Sequence, residues 1–182
     1  KQEEERNSLM RPDQIFQRFK AENPKTLNVY CDGAASDNGT VTSKAGYGIF
    51  FGFGDPRNVS KCVPSDKLQT NNSAELWAID QAIEIVKGIA VRDRYDDVVI
   101  HTDSKYSLNS CTKWVNGWIK NGWKTKEGTA VKNRTLIHRI NKNLTDFSKI
   151  SLHYVKAHTS NNDAHSIGNR EADRLAKASL KS

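Results

Sequence analysis

No stretch of this 182-residue chain approaches the roughly 18 to 20 apolar residues that a bilayer-spanning helix needs, so a membrane protein is not expected. The opening "KQEEERNSLM" is acidic and lacks an apolar segment, unlike a secretory signal or a typical transit peptide. It starts on Lys rather than Met, as a chain does when upstream sequence has been removed. There are only three cysteines, Cys31, Cys62 and Cys111, an odd number without metal-ligand spacing. That usage suits a reducing, intracellular compartment. Internal repeats and low-complexity tracts are absent as well. With 36% hydrophobic and 27% charged residues, the length fits one domain with a sizeable core.

One further scarcity is local. Between Lys105 and Lys142 nine Lys or Arg residues stand against a single acid, Glu127. This segment therefore carries +8 of a chain whose net charge is +7, and everything else sums to −1. Three of the four tryptophans, Trp114, Trp118 and Trp123, lie in it. Cations for phosphates interleaved with flat rings for sugars and bases are what a nucleic-acid surface requires. A solvated helical face with tryptophans turned into the core would look similar, and at least one of these rings is expected to be core.

Along the chain, residues 1–26 read as an extension, with an amphipathic patch "IFQRF" (15–19) and Pro24 as a stop. Residues 27–182 read as the domain proper. "LNVYCDG" (27–33), "AGYGIFFGF" (45–53) and "RNVSKCV" (57–63) are strand candidates with short links, as in an antiparallel meander. In "NNSAELWAIDQAIEIVKG" (71–88) the apolar residues fall at helical spacing, with Asn72 as the expected N-cap and Gly88 as the expected stop. A fourth strand is expected over 97–102 and a short helix from Ser104. Helical segments are expected over 112–121 and 132–146, a fifth strand over 150–155 and a last helix over 167–180. This order predicts an α/β protein with a mixed sheet flanked by helices.

Four acids stand out. Asp32 ends the first strand and Asp103 ends the fourth, after "VVIHT". Glu75 lies in the first turn of the long helix, and Asp173 lies in the last helix on the face of Asn169 and Lys177. Each has an ordinary explanation: a turn for Asp32, a capping box with Asn72 for Glu75, an N-cap for Asp103, an ion pair with Lys177 for Asp173. If the first and fourth strands are parallel neighbours, however, Asp32 and Asp103 meet at one end of the sheet. Acids gathered there would repel unless they hold a divalent cation.

At this point the sequence resembles a known family. "VYCDGAASDNG" (29–39), "QTNNSAEL" (69–76), "IHTDSKY" (100–106), "WVNGWIKNGWKT" (114–125), "YVKAH" (154–158) and "GNREADRLA" (168–176) together are similar to ribonuclease H of type 1, the cellular group. The resemblance runs over roughly Leu27 to Leu180 in the family's order. It implies a ribonuclease H-like fold: a five-stranded mixed sheet, three strands antiparallel and two added in parallel, flanked by helices. It implies an endonuclease that hydrolyses the RNA strand of RNA/DNA hybrids, leaving 5′-phosphate and 3′-hydroxyl ends. Asp32, Glu75, Asp103 and Asp173 would hold two Mg²⁺, for which Mn²⁺ can substitute, with Asp32 between the two ions. No small-molecule cofactor is implied.

Further roles follow from the same resemblance. His158 would assist proton movement or product release. Tyr106, Trp114 and Trp118 would line the channel for the DNA strand. Thr70 and Asn133 would hold one DNA phosphate, and Asn38, Asn71 and Asn72 would read the minor groove, where 2′-hydroxyls distinguish RNA from DNA. A monomer is expected, in the nucleus or mitochondrion or both. The chain also departs from the family. Leu68, with Lys67 beside it, stands where an arginine is frequent, and "AH" (157–158) replaces "GH". The loop 159–166 is longer than expected, and its His165 reads as a surface residue. A small N-terminal hybrid-binding domain is missing, and residues 1–26 read as the remnant of a linker to it. Two other functions compete: a hybrid-binding module without turnover, and a DNA-directed nuclease of the same broad fold.

Overall fold

The computed structural model describes residues 2–7, 9–91, 95–157 and 159–181. Five strands form one sheet: β1 (Thr26–Ser36), β2 (Lys44–Phe50), β3 (Val59–Cys62), β4 (Asp97–Thr102) and β5 (Ile150–Tyr154), in the order β3-β2-β1-β4-β5. β1, β2 and β3 make the antiparallel meander, while β4 lies parallel to β1 and β5 parallel to β4. The mixed sheet is thus the one read from the sequence.

Because side chains alternate across a strand, the central strands feed two cores. Leu27, Val29 and Cys31 of β1 join Tyr47 and Ile49 of β2 and Val98 and Ile100 of β4 on one face. There they meet the apolar stripe of α3 (Asn71–Val91): Leu76, Ile79, Ile83 and Val86. Each such side chain, once buried, contributes roughly 1.5–3 kcal/mol. Tyr30 and Phe50 point to the opposite face, where they meet Ile167 and Ala172 of α7 (Ala164–Ser179).

Before the sheet come α1 (Gln2–Asn7) and α2 (Pro12–Glu22). The amphipathic patch lies in α2, and its Ile15 and Phe16 are buried in the α7-side core. The Phe16 ring meets Phe50 at 5.2 Å and Tyr30 at 5.8 Å. On the other side, α4 (Lys105–Asn109), a π-helical turn (Ser110–Trp114) and α5 (Val115–Asn121) lead to α6 (Arg134–Asp146). Asp80, fully buried on α3, fixes α6 by accepting from Arg139 Nε at 2.7 Å and Nη2 at 2.8 Å.

Four local expectations are corrected. The cap of α3 is Thr70, whose Oγ1 accepts from Ser73 N at 3.1 Å, one residue before Asn71 begins the helix; Asn72 is already helical and exposed. Gly88 does not stop α3, which runs on to Val91, because that glycine faces open space where a missing side chain costs only propensity. α7 begins at Ala164 rather than 167, since Asp163 accepts from Ser166 N at 3.2 Å and caps it. The preceding loop is correspondingly shorter. His165 is not a surface residue: it is half-buried in the first turn of α7, its Nδ1 2.7 Å from Tyr30 OH and its ring 4.6 Å from that of His101.

Glycines set how closely the helices approach the sheet: Gly46 and Gly168 leave room for Ser179 and Tyr30, and Gly33 and Gly48 for main chain. A Cβ on Gly48 would collide with Ala172 O and lie 2.6 Å from Ala176 N, so α7 rests on the bare backbone of β2. A Cβ on Gly33 would collide with Glu75 N, so the first turn of α3 rests likewise on β1. Gly48→Ala should therefore lift α7 and destabilise the fold by about 1–3 kcal/mol, the usual cost of overpacking. Thermal unfolding measures this directly, and an unchanged midpoint would contradict the close approach.

Candidate active site

The pairing of β1 with β4 decides the site. Cys31 lies opposite Thr102, so Asp103, just past the end of β4, comes beside Asp32; Asp32 does not end its strand as expected, because pairing with β2 carries β1 on to Ser36. α3 adds Glu75 from its first turn, seated on Gly33. Carboxylate oxygens of Asp32, Glu75 and Asp103 all lie within 4.8 Å of one another. Asp173 of α7 faces Asp32 closely enough to raise the pKa of that carboxyl, and accepts from Lys177 Nζ at 2.9 Å.

The ordinary explanations can now be separated. Ser104, not Asp103, caps α4, its Oγ accepting from Ser107 N at 3.0 Å. Thr70 caps α3 without help from Glu75. Asp32 sits inside β1 opposite Gly48 rather than in a turn. Only the Asp173–Lys177 pair exists as expected, beside the cluster. The local roles considered for Asp32, Glu75 and Asp103 are thus not the ones they fill, although Asp32 Oδ1 also accepts from Gly33 N at 2.9 Å.

Electrostatics agree with the geometry. Burial pushes Asp32 up to about 8; a hydrogen bond with Glu75 pulls it down in part, and the Asp103 and Asp173 charges push it further up. Burial, then the Asp32 charge, holds Glu75 well above the carboxylate range. Glu75 Oε2 is buried without a hydrogen-bond partner. Crowded acids whose ionised forms are costly, with a buried carboxylate oxygen lacking a partner, are a donor set that a cation would satisfy. An all-oxygen donor set suits a hard divalent ion.

Asn169 was noted in the sequence but given no role. Its Nδ2 donates to Asp103 Oδ2 at 3.2 Å from one turn before Asp173, and so orients the carboxylate. The signal was there: Asn169 and Asp173 are four residues apart on one helical face. His158 lies outside the described residues.

A cleft of about 560 Å³ brings together all eight residues expected to touch substrate: Asn38, Thr70, Asn71, Asn72, Tyr106, Trp114, Trp118 and Asn133. Asn71 and Asn72 are one turn before Glu75, and Tyr106 is three residues after Asp103, so α3 and α4 each carry residues of both the cleft and the chain next to the acids. Asn38 Oδ1 accepts from Asn71 N at 3.1 Å, and Asn133 Nδ2 donates to Tyr106 OH at 3.3 Å. Tyr106, Trp114 and Trp118 form a run of edge-on rings 6.5 and 6.0 Å apart, and Trp118 continues it to the buried Trp123 at 6.0 Å. Trp114 stays 46% exposed, open to a ligand. Leu68, in the arginine position, also lines the cleft.

A mixed sheet whose parallel central strands bring carboxylates to one cluster defines an α/β protein with an all-oxygen acidic cluster that could hold a divalent ion. Comparison with known proteins carries this further. The family profile described as RNase H matches residues 24–181. The chain is 42% identical over 149 residues to a protein of Schizosaccharomyces pombe called ribonuclease H, covering 82% of this chain and 51% of that one. It is 39% identical over 153 residues to human ribonuclease H1, covering 84% and 49% respectively. The chain therefore spans about half the length of these curated relatives. The solution structure of the prototype foamy virus RNase H domain superposes with a TM-score of 0.58 at 25% identity, over 84% of this chain and 92% of that one. This chain belongs to the ribonuclease H family, whose members generally use divalent metal ions.

Proposed function

We propose that this chain is an endonuclease that hydrolyses the RNA strand of RNA/DNA hybrids with two Mg²⁺, leaving 5′-phosphate and 3′-hydroxyl ends. The observation that carries the reading is the cluster of Asp32, Glu75 and Asp103, with Asp173 beside it, together with a cleft of amides and aromatic rings whose Asn71, Asn72 and Tyr106 lie three or four residues along the chain from Glu75 and Asp103. Asp32, buried and facing Glu75, Asp103 and Asp173, is the carboxylate that would be shared between two ions. Glu75 and Asp103 complete one side and Asp173 the other. Two ions bound there would supply a water activated for attack and neutralise the leaving oxygen. Asn169 keeps Asp103 turned inward, and His158 serves proton movement or product release. The cleft does the discrimination: Asn38, Asn71 and Asn72 face the minor groove, Thr70 and Asn133 hold a DNA phosphate, and Tyr106, Trp114 and Trp118 carry the DNA strand. The catalytic unit is residues 27–182, acting as a monomer.

The direct test is cleavage of end-labelled RNA/DNA, RNA/RNA and DNA/DNA duplexes of one sequence, each with Mg²⁺ or EDTA. Mg²⁺-dependent cutting of the RNA strand of the hybrid alone is expected. Tight binding of the hybrid without cutting would convert the enzyme into a binding module, and comparable cutting of duplex DNA would replace it with a DNA nuclease.

The basic segment has its own test. Lys113 and Lys124 line a further hollow beside Trp114 and Trp118, and Lys120 stands exposed on α5. Replacing all three with Ala should lower the salt dependence of hybrid binding by about one unit of slope for each lost phosphate contact. An unchanged slope would place these lysines off the bound duplex.

A further inference from the structure

A straight α-helix turns about 100° per residue, so side chains eight positions apart diverge by about 80°. Tyr106 and Trp114 are eight apart, and on a continuous helix the stripe of Tyr106, Trp114 and Trp118 would spread over about 120°. The rings instead stand in one run, 6.5 and 6.0 Å apart. The π-helical turn at Ser110–Trp114 brings this about. It takes in one extra residue, which sets Trp114 back by about 100° and narrows the stripe to about 40°.

The cost of this turn falls on one atom. In an α-helix the N–H of Val115 would bond to Cys111 O; here it bonds to Ser110 O, five residues back. Cys111 is fully buried, and its carbonyl is left without that helical donor. A buried carbonyl with no partner is costly, and alone it would favour tightening the turn back into the ordinary ladder.

Asn141 of α6 supplies the partner: its Nδ2 donates to Cys111 O at 2.9 Å. Asn141 lies two residues past Arg139, whose paired bonds to the buried Asp80 hold α6 on α3. The helix that carries Asn71, Asn72 and Glu75 is thus linked, through Asp80, Arg139 and Asn141, to the turn that aims the rings.

We propose that Asn141 is a positioning residue for hybrid binding: by holding the π turn open it keeps Tyr106, Trp114 and Trp118 in one stripe along the cleft. The proposal rests on the hybrid reading above for its ligand and on the helix geometry for its cause. Asn141 acts on the grip of the DNA strand and leaves the acids untouched. The same geometry says what removes the requirement. Deleting Thr112, exposed on the outer side of the turn, leaves Tyr106 and Trp114 seven apart, a spacing that an ordinary α-helix aligns to within about 20° without freeing a carbonyl.

The experiment is a cycle of Asn141→Leu and the deletion of Thr112, singly and together, with Asn141→Gln as the conservative variant. Leucine keeps the bulk of Asn141 and cannot donate. Its affinity for a hybrid in EDTA should fall about 10-fold, within the range of one base–aromatic stack. KM should rise while kcat at saturating hybrid holds, the mark of lost binding without lost chemistry. The near-UV circular dichroism of the free protein, which reads the coupled tryptophan rings, should change with it. Asn141→Gln, which still carries an amide donor, should recover affinity and spectrum in part. The deletion should leave both near wild type, and Asn141→Leu should cost nothing further in that background. An unchanged affinity and spectrum in folded Asn141→Leu would overturn the proposal. So would an equal loss with and without Thr112, which would make the bond an ordinary stabilising contact. If Asn141→Leu alone does not fold, a folded double variant with wild-type affinity supports the proposal and an unfolded one overturns it. Failure of the hybrid reading shows separately, as wild type that does not cut the RNA strand with Mg²⁺, while the spectrum of the free protein still tests the turn.

Discussion

Asp103→Asn is expected to lower Mg²⁺-dependent cleavage by about 10³-fold or more, a loss of at least ~4 kcal/mol of transition-state stabilisation. Hybrid binding should persist or tighten. The two halves of this expectation have different causes. The amide cannot supply the anionic oxygen that a divalent ion requires, and its neutrality removes repulsion from phosphates. The fold should be indifferent, because Ser104 already caps α4 and an asparagine oxygen can still accept from Asn169 Nδ2. Steady-state cleavage, fluorescence anisotropy on the same hybrid and a melting curve settle the matter together. Loss of binding or of stability in this variant would make Asp103 a structural residue.

The second large effect is a coupling of stability, pH and metal. Asp32 is held at about 8, far above an ordinary carboxylate, mainly by burial, and Glu75 is raised in the same sense. A group whose pKa is higher folded than unfolded stabilises the fold fully below its unfolded value, near 4. That contribution is lost as the pH climbs through the folded value. The metal-free protein should therefore lose a few kcal/mol between about pH 4 and pH 8, or about 5–10 °C in melting temperature. Mg²⁺ should reverse the trend, since it displaces the protons and neutralises the ionised pair. The stabilisation by Mg²⁺ should thus be larger at pH 8 than at pH 6. Melting curves at both pH values, with Mg²⁺ or EDTA, give the answer. A metal-free midpoint that rises over this range would mean that the pair is not buried as described.

Much of this site was legible in the chain because its parts are tied to strand ends and first turns. Apolar "VVIHT" ending on Asp103 already placed one carboxylate at the end of a central strand, while "VYC" before Asp32 gave its neighbour's position but not that β1 runs on to Ser36. Parallel pairing then left no freedom in where the two carboxylates meet. The eight cleft residues were reached through resemblance; Asn71, Asn72 and Tyr106 lie within about a turn of an acid, and the fold brings the other five to the same cleft. What stayed hidden depends on contacts across the sheet. His165 reads as polar within "TSNNDAHS", and only the position of Tyr30 and His101 on that sheet face gives it a buried partner. Asp163 gives no sign that it caps α7 until its neighbours are helical. The choice between Thr70 and Asn72 as cap turns on one residue of register, which composition cannot resolve. Asp80 looks like one more charged helix residue until α6 brings Arg139 to it.

The bare-backbone contacts at Gly33 and Gly48 have a consequence for how this chain tolerates change. At Gly33 and Gly48 the main chain of α3 and α7 comes directly onto β1 and β2, one on each side of the sheet, and the two helices carry two of the four carboxylates. The distance from Glu75 and Asp173 to Asp32 is therefore set by main-chain van der Waals contact and not by the size of any core residue. Substitutions deeper in either core, such as Ile83→Val or Ile167→Val, resize the packing further along the helices while the pivot next to the acids stays put. Such a chain can accumulate mutations that erode its melting temperature long before they displace a metal ligand. Its chemistry is insulated from the drift of its interior, and its two glycines are where that insulation ends.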